Sequence, residues 1–222
     1  MSHSNNRTLL SEFIASFLLL FTVVGVGMRV ATIFTEPALQ LISAVIGIMF
    51  IGSIIWQVFN RIAPTHMNPL ITIGLMARRK IEVAFGTEHL AAQVSGALIG
   101  VVTGNTMFGL EAFSPADQGA VAPNRYVGEF IVSLGVVAIT LLLHENSRLY
   151  MLGAAIPLWL VFGSALTASP SFGNPAISVA NSISHTITSD PTSALPGLLS
   201  SQLLGGLAAY GIVWLLRYRH ED

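Results

Sequence analysis

Long stretches of this chain carry no charged side chain. None occurs from Phe13 to Met28, Pro37 to Asn60, His89 to Leu110, Phe130 to His144, Leu149 to Ser189 or Pro191 to Leu216. A helix that crosses a bilayer needs roughly 20 mostly apolar residues. The pattern predicts six such spans, at about 9–29, 38–59, 88–109, 126–144, 149–168 and 195–216. Glu12 interrupts the first apolar run and only Arg7 precedes it as a basic residue, a pattern unlike a cleaved signal peptide. Between spans three and four, residues 111–125 are rich in Pro, Gly and Ala and read as a loop without regular structure.

The two halves of the chain resemble each other. Glu12-Phe13-Ile14-Ala15-Ser16 in span one is matched by Glu129-Phe130-Ile131-Val132-Ser133 in span four. Gln93-Val94-Ser95-Gly96 is matched by Gln202-Leu203-Leu204-Gly205. Asn68-Pro69 follows span two, and Asn174-Pro175 follows span five. The matches keep one order along the chain, which predicts repeats at about 1–110 and 124–222 within a single membrane domain, 1–222. Three spans per repeat is an odd number, so the second unit inserts upside down relative to the first. Such inverted repeats place a functional site at the midplane where they meet.

Each Asn-Pro segment is apolar enough for membrane depth but too short to cross. Asn is a good helix N-cap and Pro is favoured at the first helical position, so each reads as a half-helix starting at its Asn. The predicted fold is therefore all-α, with six transmembrane helices, two re-entrant half-helices and an inverted 3+3 repeat. Facing half-helix ends converge unpaired N–H groups and partial positive charge at mid-membrane, which opposes cations and holds neutral oxygen-bearing molecules weakly.

Composition fits this picture. The chain has 222 residues, 53% hydrophobic and only 9% charged, against about 25% charged in a soluble domain. The formal net charge of -1 gives no sign of nucleic-acid binding, and the absence of cysteine excludes disulfides and thiolate chemistry. Arg7, Arg78-Arg79-Lys80, Arg148, Arg217 and Arg219 fall on one side, and Arg29 and Arg125 on the other. The positive-inside rule then places both termini in the cytoplasm and the 111–125 loop outside, for a multi-pass protein of the plasma (inner) membrane.

These motifs resemble the major intrinsic proteins, the aquaporins and aquaglyceroporins. The resemblance spans nearly the whole length: Glu-Phe-Ile in spans one and four, His66-Met67-Asn68-Pro69 with Thr72 and Gly74, Gln93 with Gly96, and Asn174-Pro175-Ala176. It implies a homotetramer with one pore per subunit, no cofactor and no enzymatic activity. It also implies that Glu12 and Glu129 hydrogen-bond the half-helix loops, although intramembrane carboxylates also raise a proton-relay reading.

Two positions depart from the family. The first motif reads Asn-Pro-Leu, placing bulky Leu70 near where the half-helices are expected to meet. The family's Arg after Asn-Pro-Ala is Ile177 here. Carrying over family spacing puts Ile48, Phe162 and Ser171 beside Ile177 at the constriction, mostly apolar with one hydroxyl. This resembles a bacterial subgroup with an aliphatic residue at that position, associated with arsenic resistance. The expected function is passive passage of water, glycerol and uncharged metalloid hydroxides or organoarsenicals. A water-selective pore, an ion-coupled transporter using Glu12 and Glu129, and an occluded structural protein stand as alternatives.

Several other polar residues carry readings of their own. His66 either presents its carbonyl to the pore or packs the loop. His144 reads as a solvated loop residue and His185 as a candidate pH sensor. Ser178, Asn181 and Ser182 form a polar stripe directed at loop backbone or the outer mouth. The run Arg78–Lys80 orients the chain or meets anionic lipid. No His/Asp/Glu cluster has metal-binding spacing along the sequence, so no metal site is expected.

Overall fold

Large apolar side chains face outward on this protein, and polar ones are buried. Phe50, Leu158 and Leu207 are each more than 60% exposed, whereas Glu12, Gln93, Glu129 and Gln202 are at most 1% exposed. This inverted polarity is what a lipid solvent requires: apolar outside, with polar groups paired inside.

The computed structural model describes residues 3–218 apart from 117, 118, 120, 146–148 and 171. The described residues are helical in the order α1 (His3–Ile33), α2 (Pro37–Ile62), α3 (Pro69–Ala77), α4 (Val83–Met107), α5 (Pro123–Glu145), α6 (Leu152–Leu166), α7 (Pro175–Asn181) and α8 (Leu195–Tyr218). Among them, α1, α2, α4, α5 and α8 are long and apolar enough to cross a membrane. The remaining expected span, 149–168, is shorter than its sequence pattern. It forms a 3-10 turn, Leu149–Met151, and then the 15-residue α6, with Pro157 inside it. At 1.5 Å rise per residue α6 covers about 22 Å.

Close packing of α1 on α4, and of α5 on α8, builds the frame. Both contacts depend on glycine. A Cβ at Gly96 would strike the Phe13 carbonyl oxygen, and one at Gly205 would strike the Phe130 carbonyl oxygen. Small residues let helix backbones touch where lipid offers no hydrophobic drive for association. The same pairing in both halves leaves α3 and α7 enclosed, in contact with each other between the two pairs.

Candidate functional site

The half-helices begin as their sequences dictate. Asn68 is extended (φ -149°), its side chain accepts a hydrogen bond from the Leu70 N–H at 2.9 Å, and Pro69 occupies the first turn. Asn174 repeats this (φ -149°), accepting from the N–H groups of Ala176 at 3.0 Å and Ile177 at 3.4 Å, with Pro175 following. Each cap satisfies amide groups that the first helical turn otherwise leaves unpaired.

The same two side chains tie the half-helices together. Asn68 Nδ2 donates to the Gly173 carbonyl at 2.9 Å, and Asn174 Nδ2 donates to the Met67 carbonyl at 2.7 Å. Met67 (φ 54°) and Gly173 (φ 52°) both adopt the left-handed conformation just before their Asn. Glycine takes that conformation freely, but for Met67 it costs on the order of 1–2 kcal/mol. The crossing bonds and buried carboxylates hold Met67 in that conformation. Each Nδ2 carries two N–H groups, and the crossing bond uses one.

The carboxylates anchor the loops. Glu12 Oε1 accepts from His66 N–H at 2.6 Å, and Oε2 accepts from Met67 N–H at 2.9 Å. Glu129 Oε1 accepts from Phe172 N–H at 3.2 Å, and Oε2 accepts from Gly173 N–H at 3.1 Å. The Ser169 hydroxyl also donates to Glu129 Oε1, and Gln202 Nε2 donates to Oε2 at 2.7 Å. Gln93 Nε2 donates to Thr72 Oγ1 at 2.9 Å, and Gln202 Nε2 to Ser178 Oγ at 2.8 Å, so equivalent amides brace the two half-helices. The polar stripe on α7 is turned to protein. Ser178 meets Gln202, Asn181 Nδ2 donates to the Thr188 carbonyl at 2.7 Å, and Ser182 Oγ donates to the Val179 carbonyl at 2.8 Å.

Two cavities lie along the half-helices. One of about 500 Å³ is lined by His66, His89, Asn60, Lys80 and His144, on the side of the chain termini. A narrower one of about 80 Å³ is lined by Asn68, Asn174, Ile48, Ile177, Phe172 and Leu160. That exceeds several-fold the ~10–15 Å³ needed to hold one water. Trp56, His66, Ile71 and Leu152 border both cavities, which places them end to end.

Two sequence expectations are corrected. Phe162 is 55% exposed and does not line the narrow cavity. Gly153, Ile156, Pro157 and Leu160 supply that face of α6. Phe162 lies two residues beyond Leu160, about 200° around a 3.6-residue turn, and so points outward. Leu70 does not wedge between the half-helices. It is 3% exposed and packs with Val137, Leu141, Ala209 and Val213 of α5 and α8. Gly206 of α8 lies beside it. Ser171 lies outside the described residues.

Sequence reading missed His89. It sits on α4, 1% exposed, with Nδ1 at 3.1 Å from Glu12 Oε1. His66 Nδ1 lies 3.4 Å from the same oxygen. Helix spacing could not show this group, because its members come from α1, the α2–α3 loop and α4.

On the side opposite the termini, Arg125 and Asp190 form an ion pair. Burial, with a smaller push from the Glu129 charge, raises the Asp190 carboxyl to about 6 against the opposing pull of Arg125. The folded state therefore holds this proton more tightly than the unfolded chain. The resulting stabilisation is complete below about pH 4 and is lost as pH rises through about 6, on the order of 3 kcal/mol. Melting of detergent-solubilised protein should show wild type losing stability relative to Asp190→Asn between pH 4 and 7. A pH-independent difference contradicts this assignment.

The fold and site together define a multi-pass membrane protein with two capped half-helices meeting beside a narrow cavity. Residues 1–173 match the model of the major intrinsic protein family. The chain is 26% identical over 215 residues to aquaglyceroporin AqpS of Rhizobium meliloti (strain 1021), covering 95% of this chain and 91% of the relative. It is 25% identical to human aquaporin-4, covering 92% of this chain and 67% of the relative. Its structure matches that of the aquaglyceroporin from Plasmodium falciparum with a TM-score of 0.69 at 15% identity, covering 94% and 95% of the two chains. The chain belongs to the major intrinsic protein family. It is a passive membrane channel and not an enzyme.

Proposed function

We propose that this channel is of the aquaglyceroporin type, conducting water, glycerol and uncharged metalloid hydroxides such as As(OH)3, or organoarsenicals, through a pore centred on Asn68 and Asn174. The single observation that carries the solute class is Ile177, which borders the narrow cavity beside Ile48. An Arg in that place presents five fixed donors and a permanent charge, which suits a small polar filter. Two isoleucines suit the carbon backbone of a polyol, while the free Asn N–H groups pair with its hydroxyls. The names carried by the Rhizobium and Plasmodium proteins agree with this class.

In this reading the passage runs through both repeats, 1–110 and 124–222, of one channel domain. Leu160 takes the part in the constriction first expected of Phe162. Glu12 and Glu129 each anchor a half-helix loop through two backbone N–H groups, so neither carboxylate is free to travel with an ion along the passage, which argues against a secondary transporter. The protein is a homotetramer of the inner membrane with both termini cytoplasmic, and its exposed apolar helices meet lipid and neighbouring subunits.

Stopped-flow light scattering on proteoliposomes, with glycerol and arsenite in the panel, tests the solute class. Ile177→Arg is expected to lower both fluxes by roughly tenfold, about 1.4 kcal/mol of added barrier, while water flux falls less. Equal glycerol and arsenite fluxes in Ile177→Arg and wild type would remove Ile177 from selectivity.

A further inference from the structure

We propose that Glu12, His66 and His89 form a binding site for a divalent transition-metal ion of the zinc class, opening onto the wide cavity on the terminal side. Among the described residues these three place one ligand atom each within 4.8 Å of one another. Glu12 Oε1 lies 3.4 Å from His66 Nδ1 and 3.1 Å from His89 Nδ1. A tetrahedral zinc with bonds of about 2.0–2.1 Å sets its donor atoms about 3.3 Å apart. Two edges of the required tetrahedron are therefore already at the right length.

The donor chemistry suits the same ion. Two imidazoles and one carboxylate match zinc and its neighbours, whereas magnesium and calcium prefer oxygen-only shells. A carboxylate oxygen offers two lone pairs, so Glu12 Oε1 keeps the His66 N–H bond when the ion replaces its contact to His89. Glu12 Oε2 keeps the Met67 N–H. His66 gives up its 3.0 Å contact to Thr72 Oγ1, and that hydroxyl still accepts from Gln93.

His89 is held for this role. Its Nε2 is buried with no partner, so the polar contact fixing the ring is the one to Glu12. Its ring packs against His66 at 5.2 Å and edge-on to Phe85 at 4.6 Å. Both histidines border the 500 Å³ cavity, which gives an ion a route in and leaves the fourth coordination position to water.

The test is calorimetric titration of purified, untagged protein in detergent with Zn2+, paired with the visible spectrum of its Co2+ form. Wild type is expected to bind about one Zn2+ per chain in the presence of excess Mg2+. Its Co2+ form should show the intense d–d bands of a four-coordinate site. His89→Gln keeps an amide donor for Glu12 and should leave size-exclusion behaviour unchanged. It should weaken Zn2+ binding by more than the roughly 10–100-fold that loss of an outer-sphere partner costs. His144→Gln, altering a histidine of the same cavity outside the cluster, should bind as wild type does. The proposal is overturned if wild type shows no saturable site, if folded His89→Gln binds Zn2+ as tightly as wild type, or if His144→Gln loses the site.

Discussion

Gly96→Ala is expected to abolish the stable fold, and Gly205→Ala to do the same from the other half. The added methyl has nowhere to go, because its position coincides with the contact shell of a main-chain oxygen, of Phe13 in one case and Phe130 in the other. A crowding side chain can rotate away, but a helix carbonyl cannot. The α1–α4 and α5–α8 pairs must therefore separate. Separation strips close contact along each pair and pulls Glu12 or Glu129 off the loop it anchors. An overpacked core usually costs about 1–3 kcal/mol, and a backbone collision with coupled loss of buried hydrogen bonds exceeds that. Fluorescence-detected size exclusion and melting in detergent measure it. A monodisperse Gly96→Ala protein with wild-type melting would contradict the packing described.

Glu129→Gln is expected to be nearly as damaging, although it changes no volume. Every partner of this carboxylate is a donor: the Ser169 hydroxyl, the Phe172 and Gly173 N–H groups and the Gln202 amide. An ionised carboxylate is acceptor-only, whereas an amide brings two N–H groups of its own. Whichever way the amide is turned, it sets a donor against donors in a site 1% exposed. Losing hydrogen bonds to a charged group costs about 1.5–3 kcal/mol each, and at least one N–H of the loop before Asn174 is stranded. The variant should melt lower by an amount equivalent to roughly 2–6 kcal/mol, and its solute flux should fall as Gly173 and its carbonyl drift from Asn68. Gln202→Leu should cost less, because it removes one donor and leaves the carboxylate its three others. Wild-type melting in Glu129→Gln would show that the loop does not depend on an acceptor there.

How much of this was readable from the chain depends on range. The spans were legible because lipid imposes a long charge-free run on each, and the half-helices because Asn-Pro is a local cap signal whose geometry lies within three residues. Contacts between distant elements were expected only through the family resemblance, as for Glu12 and Glu129 with the loops, and the repeat that pairs Gln93 with Gln202 gave no sign that they brace the half-helices. His89 has no counterpart in the second half, and its contact to Glu12 joins residues far apart in sequence. Nothing at helical spacing announces it. The rotation of α6 was illegible for another reason. Counting back from Asn174 assumes a fixed loop length, and a shift of two positions carries a residue from the cavity face to the lipid face. Nearness in sequence to Asn68 does not bring Leu70 to α7, because the first helical turn directs that side chain toward α5 and α8.

Everything functional rests on opposed half-helices framing one narrow way through the protein. The most direct measurement is the swelling rate of proteoliposomes placed in an iso-osmotic glycerol gradient, with and without imposed sodium and proton gradients. Swelling well above that of protein-free vesicles is expected, proportional to the glycerol gradient and indifferent to either ion gradient. Swelling no faster than in protein-free vesicles, or swelling that follows an ion gradient, would contradict it.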